Sequence, residues 1–233
     1  MKSAPSQRST WFLLESGAGT AAENMASDEA LLETVTTLGR PVLRFYGWTE
    51  RAASFGYFQK HHEIERLTTL RPLVRRPTGG GLVPHDADWT YSLSFPPGTD
   101  WYELKAVESY RRAHEWIQEA FEAMDVRTEL AACCRKEAPG QCFIGAEQFD
   151  VLWRDQKIAG AAQRRTRDGL LIQGSIQPPP EASRASFEKA FCAAALASWG
   201  VEWQPLKISV ALNGAVQKLA REKYSRREYN ERR

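Results

Sequence analysis

Three segments of the chain carry residues able to do chemistry together. The first is a set of thiols: Cys133, Cys134, Cys142 and Cys192. A thiolate attacks carbonyl carbon, and a loop cysteine beside a cation has the means to form one. Cys142 follows Pro139-Gly140-Gln141, a loop-forming run. Its alternative is a small core hydrophobe, and Cys133 and Cys134 compete with it. No CxxC pair is present and no histidine lies near the three clustered thiols, so a zinc site is not expected. The second segment is Gln156-Lys157-Ile158-Ala159-Gly160-Ala161-Ala162-Gln163-Arg164-Arg165. It sets one lysine just past a turn, with small residues behind it that leave room for a ligand or a close backbone contact. Lys157 is either a solvated turn lysine or a cation held at a site. The third is Arg75-Arg76-Pro77-Thr78-Gly79-Gly80-Gly81-Leu82-Val83-Pro84-His85-Asp86. Consecutive glycines let a backbone approach a ligand closely and offer it N–H groups. They also make a simple bend between strands. No Walker lysine follows, and the spacing is not that of a dinucleotide fingerprint. Arg75 and Arg76 either solvate a sheet edge or shape a pocket and hold a phosphate. His85 and Asp86 are expected to hydrogen-bond to each other and brace the loop.

These segments need elements to hold them. Trp11–Glu15, Val42–Tyr46, Ala52–Tyr57, Pro72–Arg76 and Leu170–Gln177 read as strands. Trp89–Phe95 alternates with period two, the mark of a half-buried strand. Phe149–Trp153 and Lys157–Arg164 read as a hairpin turning at Asp155-Gln156. Ala22–Thr36 and Phe187–Trp199 read as helices, and Ser209 caps a last helix through Tyr224. Val107, Tyr110, His114, Ile117, Phe121 and Met124 recur at helical spacing, so one more helix should turn them to one face. Short strands in hairpin-like succession with helices between them predict an α+β fold around a largely antiparallel or mixed sheet. Residues 1–10 are expected to be flexible. Residues 11–233 are expected to form one domain that includes C-terminal helices at about 185–226.

Composition narrows the function classes. The 233 residues carry 31 Lys+Arg against 29 Asp+Glu, a formal charge of +2, which lacks the basic excess of a nucleic-acid-binding domain. The dense basic run at Lys223–Arg233 is a solvated helix face or a docking surface for an acidic partner. The apolar run Trp11–Leu14 is shorter than a secretion signal's core of about 7–15 residues. No stretch approaches the roughly 18 apolar residues of a membrane span. A cytoplasmic protein with reduced thiols and no membrane partner is expected.

Together, RRPTGGG…HD, KIAGAAQRR (Lys157–Arg165) and LLIQGSI (Leu170–Ile176), in that order, resemble the biotin/lipoate protein ligase superfamily. NMASDEALL (Asn24–Leu32), RFYGW (Arg44–Trp48) and KYSRREYN near the end are similar to it too. The likeness runs from about Trp11 to Arg233. It implies an α+β catalytic domain of the class II biotin/lipoate ligase kind, whose sheet makes a tunnel for an acyl chain. Within the superfamily the chain is most similar to the lipoyl octanoyltransferases. Cys142-Phe143 lies fifteen positions before Lys157 (142 to 157), the spacing of that type. His85-Asp86-Ala87-Asp88-Trp89-Thr90-Tyr91-Ser92 is closer to the transferase pattern than to the ligases' Gly-Asn after His-Asp. Fifty-nine residues follow Gly174 (175 to 233), fewer than a ligase's accessory domain and last helices would take. The chain departs from the family at Gln173, where a histidine is usual, and at Ala161, where serine is common. It also departs in the short proline-rich stretch after Ile176.

The resemblance implies an octanoyl group moved from acyl carrier protein, through a thioester on Cys142, to a lysine of a lipoyl domain. The acceptor would be a 2-oxoacid dehydrogenase E2 or the glycine cleavage H protein. Lys157 would lower the thiol's pKa and polarise the carbonyl. Backbone N–H groups from Gly79–Gly81 or Ala159–Gly160 would face the oxyanion. Arg75, Arg76, Thr78, Gly79, Gly80, Gly81, His85, Asp86, Gly160, Gln163 and Gly174 are the expected substrate-binding residues, with no metal. Burial at about 0.8 kcal/mol per methylene would select chain length coarsely. A thioester donor already stores its activation energy, so no cofactor is required. ATP and magnesium enter only under the alternative, a lipoate-protein ligase working through an adenylate. A non-catalytic member that binds carrier or lipoyl domains is the other alternative.

Overall fold

A computed structural model of the chain describes residues 8–134, 143 and 145–232. In chain order its elements are β1 (Ser9–Gly19), α1 (Ala21–Leu38), β2 (Val42–Trp48), β3 (Ala52–Phe55), α2 (His61–Ile64), β4 (Leu73–Arg75), β5 (Val83–His85) and β6 (Trp89–Phe95). There follow α3 (Asp100–Glu103), α4 (Ala106–Glu122), β7 (Glu129–Leu130), β8 (Val151–Trp153), β9 (Gln156–Thr166) and β10 (Gly169–Ile176). The last are α5 (Arg184–Trp199), β11 (Val201–Pro205), α6 (Val210–Leu219) with a π-helical extension Ala220–Tyr224, and α7 (Arg227–Asn230).

The fold is α+β. Eight strands form a mixed sheet in the order β11-β1-β2-β6-β10-β9-β8-β7. β11, β1 and β2 run parallel, and from β2 to β7 every pair is antiparallel. A second sheet, β4-β3-β5, lies apart. β1 starts at Ser9, before the expected Trp11, because β11 extends the sheet beside it in the register Ser9↔Val201. β11 has no counterpart among the strands expected from sequence, since a strand ending in Pro205 gives almost no periodic signal. α2, α3 and α7 are single turns, too short to show a helical period.

Local chemistry sets the element ends. Thr20 and Glu23 close a capping box at the start of α1, and Gly39 ends it with φ 69. The β8–β9 turn falls on Arg154 and Asp155, both with positive φ (49 and 62), one residue earlier than expected. Positive φ at both central residues suits a two-residue hairpin, and Asp tolerates it. α4 packs Ala113, Trp116, Ile117, Ala120 and Phe121 against the sheet. Val107 departs from the expected stripe: it is 63% exposed in the first turn. None of the described helices is long and apolar enough to cross a membrane.

β2, β6, β10 and β9 present two different faces. Toward α4 and α5 they turn Leu43, Phe45, Tyr91, Leu93, Phe95, Leu170 and Ile172 into the main core. Trp11, Trp101, Trp116 and Phe191 fill that layer, with Trp116 and Phe191 stacked at 3.9 Å. Toward α1 and the small sheet, the same strands turn polar and small residues in rows across the register. Tyr46, Thr90, Ser175 and Gly160 make one row, and Arg44, Ser92, Gln173 and Ala162 the next.

Candidate active site

The polar face forms one wall of a cleft. Met25 of α1 and the small sheet's Ser54, Val83 and His85 face it, with Arg76, Phe143 and Lys157 at its borders. It encloses about 460 Å³, its open mouth included.

Lys157 marks one end. Its side chain is 6% exposed, and its Nζ lies 2.7 Å from Asp150 Oδ2, so it is no solvated turn lysine. Asp150 also accepts from the Glu147 backbone N–H at 2.6 Å and from the Tyr110 hydroxyl. A carboxylate wholly removed from water keeps its charge only when its lone pairs are filled this way. The ammonium packs over Gly160, where an added Cβ would come within 2.8 Å of Nζ. That contact explains the glycine three residues after the lysine. The Phe143 ring lies 5.3 Å from Nζ on another side. On α4, His114 is fully buried beside Tyr110, and desolvation lowers its pKa to about 4.

One strand over, a second cluster is built on the same row. His85 Nδ1 lies 2.8 Å from Asp88 Oδ2, and His85 Nε2 lies 2.8 Å from Ser54 Oγ. The imidazole stacks on Trp48 at 3.8 Å. Thr90 and Ser175 donate to the same Asp88 oxygen at 3.0 and 2.7 Å. The expected partner of His85 was Asp86. Asp86 instead points outward to Arg51 at 3.4 Å, because the chain turns after β5 and brings the acid three places on under the ring.

The far end is a buried polar knot. Asp28 accepts from Arg44 at 2.7 Å, Tyr46 at 2.9 Å, Ser92 at 2.6 Å and Gln173 at 2.7 Å. Gln173 Oε1 in turn accepts from Thr78 Oγ1 at 2.7 Å. Gln173, the departure from the family pattern, thus ties α1 to the Arg75–Gly81 segment as donor and acceptor at once.

Of the expected substrate-binding residues, Arg76, His85, Gly160 and Gly174 line the cleft. Thr78 reaches it through Gln173. Gly79 holds the Arg76 guanidinium on its carbonyl, at 3.0 Å from Nε and 2.6 Å from Nη2. Gly80 has φ 84, and its carbonyl passes so close to Gly56 that a Cβ there would sit 1.9 Å away. Gly81 follows in the same bend. Arg75 is placed elsewhere. It is buried, and its guanidinium donates to the carbonyls of Tyr57, Gln59, Tyr229 and Asn230, so it anchors the C-terminal segment. Gln163 is on the opposite face of β9, bonded to Ser109 and the Ala106 carbonyl of α4, because strand alternation points it away from Ala162. Cys142 lies outside the described residues. Cys133 and Cys134 are exposed, and burial pushes the Cys192 thiol up to about 12.

Ser54 and Asp150 did not stand out in the sequence, and Asp28, Arg44 and Ser175 lie within the family-like segments with no role assigned to them there. A signal was present: Arg44 and Tyr46, and Ser92 and Ser94, alternate with large apolar residues on otherwise buried strands, and Gln173 and Ser175 alternate with Ile172, Gly174 and Ile176.

Known proteins place this architecture. Residues 20–189 match the family model of the lipoyl protein ligase A/B catalytic domain. The chain is 34% identical over 180 residues to the octanoyltransferase LipM of Exiguobacterium sp., covering 72% of this chain and 65% of the relative. With the octanoyltransferase LipM of Kyrpidia tusciae the identity is 37% over 180 residues, with the same shares of 72% and 65%. The chain thus spans less than two thirds of the length of these relatives. A crystal structure of lipoate-protein ligase A bound with ATP superposes with a TM-score of 0.80 at 20% identity, over 96% of this chain and 99% of that one. That similarity is one of fold. The chain belongs to the lipoyl protein ligase A/B catalytic domain family.

Proposed function

We propose that the protein moves an octanoyl group from acyl carrier protein to a lysine of a lipoyl domain, through a thioester on Cys142. The observation that carries this reading is at Lys157. Its ammonium is buried at the border of the cleft, and it faces Phe143, the residue that follows Cys142 in the chain. Likeness to octanoyltransferases of the LipM type supports the same reaction. A buried cation stabilises a thiolate and a developing oxyanion far better than one in water.

In the first step the Cys142 thiolate attacks the octanoyl thioester. A C–S bond forms, the carrier's C–S bond breaks, and the carrier leaves as a thiolate that takes a proton from solvent. The acceptor amine then attacks the acyl-enzyme, and amide formation draws the exchange forward. The acyl tail lies along the cleft between Met25, Val83 and Ala162. No nucleotide takes part, because both the donor and the intermediate are thioesters.

Intact-mass measurement after mixing with octanoyl acyl carrier protein tests this. The wild type gains one octanoyl group. Cys142→Ala gains none, while Cys133→Ala and Cys134→Ala still gain it. Labelling of a lipoyl domain that requires free lipoate, ATP and magnesium would replace this reading with the ligase one.

A further inference from the structure

We propose that Ser54, His85 and Asp88 form a proton relay that takes the proton of the acceptor lysine in the second half of the octanoyl transfer. The proposal rests on the reading of the preceding subsection, and it assigns His85 a part in the reaction rather than in bracing a loop.

The geometry has three parts. First, the three side chains are in series: Asp88 Oδ2 to His85 Nδ1 at 2.8 Å, and His85 Nε2 to Ser54 Oγ at 2.8 Å. A carboxylate only accepts, so it fixes the Nδ1–H tautomer. Nε2 is then the acceptor, and the Ser54 hydroxyl donates to it. Second, the series is braced as a positioned base must be. Trp48 stacks on the imidazole at 3.8 Å and donates its Nε1–H to Thr90 at 2.8 Å. Thr90 and Ser175 hold the Asp88 oxygen that orients the ring. The Asp88 side chain is 1% exposed, and its other oxygen has no hydrogen-bond partner among the described residues. A buried carboxylate left with one oxygen unfilled is costly, and it gains most from a positive charge on His85. Third, the series opens at the reacting end of the cleft. Ser54, His85, Thr90 and Ser175 line the cleft with Lys157. Ser175 pairs directly with Gly160, the residue beneath the Lys157 ammonium. Adjacent strands lie about 4.8 Å apart.

The chemistry requires such a base. The acceptor lysine arrives as an ammonium, with an ordinary pKa of about 10.4, and has no lone pair with which to attack. Its proton passes to Ser54 Oγ as the Ser54 proton passes to His85 Nε2, leaving imidazolium beside Asp88. The neutral amine then forms the N–C bond and the acyl C–S bond breaks. The departing thiolate takes the second proton of the attacking nitrogen, and imidazolium returns the first to solvent. Lys157 is not free to serve as this base, because its Nζ is engaged by Asp150 at 2.7 Å.

The test separates the two half-reactions. Octanoyl acyl carrier protein is mixed with wild type, His85→Gln and Asp88→Asn, and loading is followed by intact mass. The loaded enzymes are then chased with a lipoyl domain or with hydroxylamine, an amine already neutral at neutral pH. For His85→Gln the transfer to the lipoyl domain is expected to slow by at least about a hundredfold, the usual contribution of a general base, and far more than loading slows. Transfer to hydroxylamine stays within a few-fold of wild type. Asp88→Asn falls between, through kcat for the lipoyl domain and not through KM. Equal losses in loading, lysine transfer and hydroxylamine transfer would make the cluster structural and overturn the relay. Undiminished lysine transfer in His85→Gln would overturn it as well. An octanoyl adduct that resists hydroxylamine and disappears in Ser54→Ala would make Ser54 the nucleophile and replace the relay. Failure of the wild type to load at all would overturn the transfer reading, and the relay with it.

Discussion

β2, β6, β10 and β9 have one backbone and two unlike faces. On one, Leu43, Phe45, Tyr91, Leu93 and Ile172 meet the aromatic layer of Trp11, Trp101 and Trp116. On the other, Arg44, Ser92, Gln173 and Ser175 are just as buried, yet each holds a polar partner. The apolar face gains from area removed from water and from close packing. The polar face stands only because its donors and acceptors meet each other, since an unpaired buried charge costs several kcal/mol. A cleft that holds a ligand in one orientation needs the second kind of surface, and the first kind supplies the stability that makes it affordable.

Breaking each face in turn sharpens this contrast. The largest losses are expected from Trp116→Ala on the apolar face, about 3–5 kcal/mol, and from Asp28→Ala on the polar face. The latter leaves the Arg44 guanidinium buried without its carboxylate, at a similar cost of roughly 3–5 kcal/mol. Urea unfolding of both variants measures it. Replacing that knot with matched apolar residues should be far milder than removing one partner.

Two glycines on neighbouring strands give a smaller and more selective comparison. Gly174→Ala drives a methyl within 2.2 Å of the Tyr91 ring, in a packed layer that cannot yield, and should lower stability by about 1–3 kcal/mol. Gly160→Ala meets the end of the Lys157 side chain at 2.7 Å and Asp150 Oδ1 at 3.2 Å, so it strains a buried ion pair rather than an apolar layer. It should lower stability by a similar amount, about 1–3 kcal/mol, and in addition lower octanoyl loading severalfold, which Gly174→Ala should not do beyond its loss of stability. Thermal melts and loading rates on the two variants read the difference.

The smallest effect expected is on pH dependence. His114 is buried as neutral imidazole, with desolvation taking its pKa from 6.5 to about 4. Between those values the unfolded chain binds more protons than the folded one, so stability falls as pH drops from about 6.5 toward about 4. His114→Phe should flatten that part of a stability–pH curve, measured by urea midpoints at several pH values.

The strands were legible wherever alternation is clean, as in Trp89–Phe95, and the cap at Ser209 was legible from its type. The hairpin carrying Lys157 was legible within one residue. The polar knot was not, because a serine or arginine in a strand looks the same in sequence whether it faces water or a buried aspartate sixteen or more positions away. The His85 partner was misread for a related reason. Adjacent His and Asp side chains on a strand point to opposite sides, and only the turn after β5 decides which acid comes under the ring.

The sequence by itself determined the α+β class, the family motifs and the three segments with chemistry, since all of these are local patterns of residue type and period. The tertiary structure alone decided that Lys157 is paired with Asp150, that Arg75 serves the C-terminal segment, that Gln163 faces α4, and that Ser54, His85 and Asp88 stand in series. The reason is physical. Side-chain pairing in a sheet depends on register and on which face each residue takes, and both are fixed only when strands distant in the chain are brought side by side.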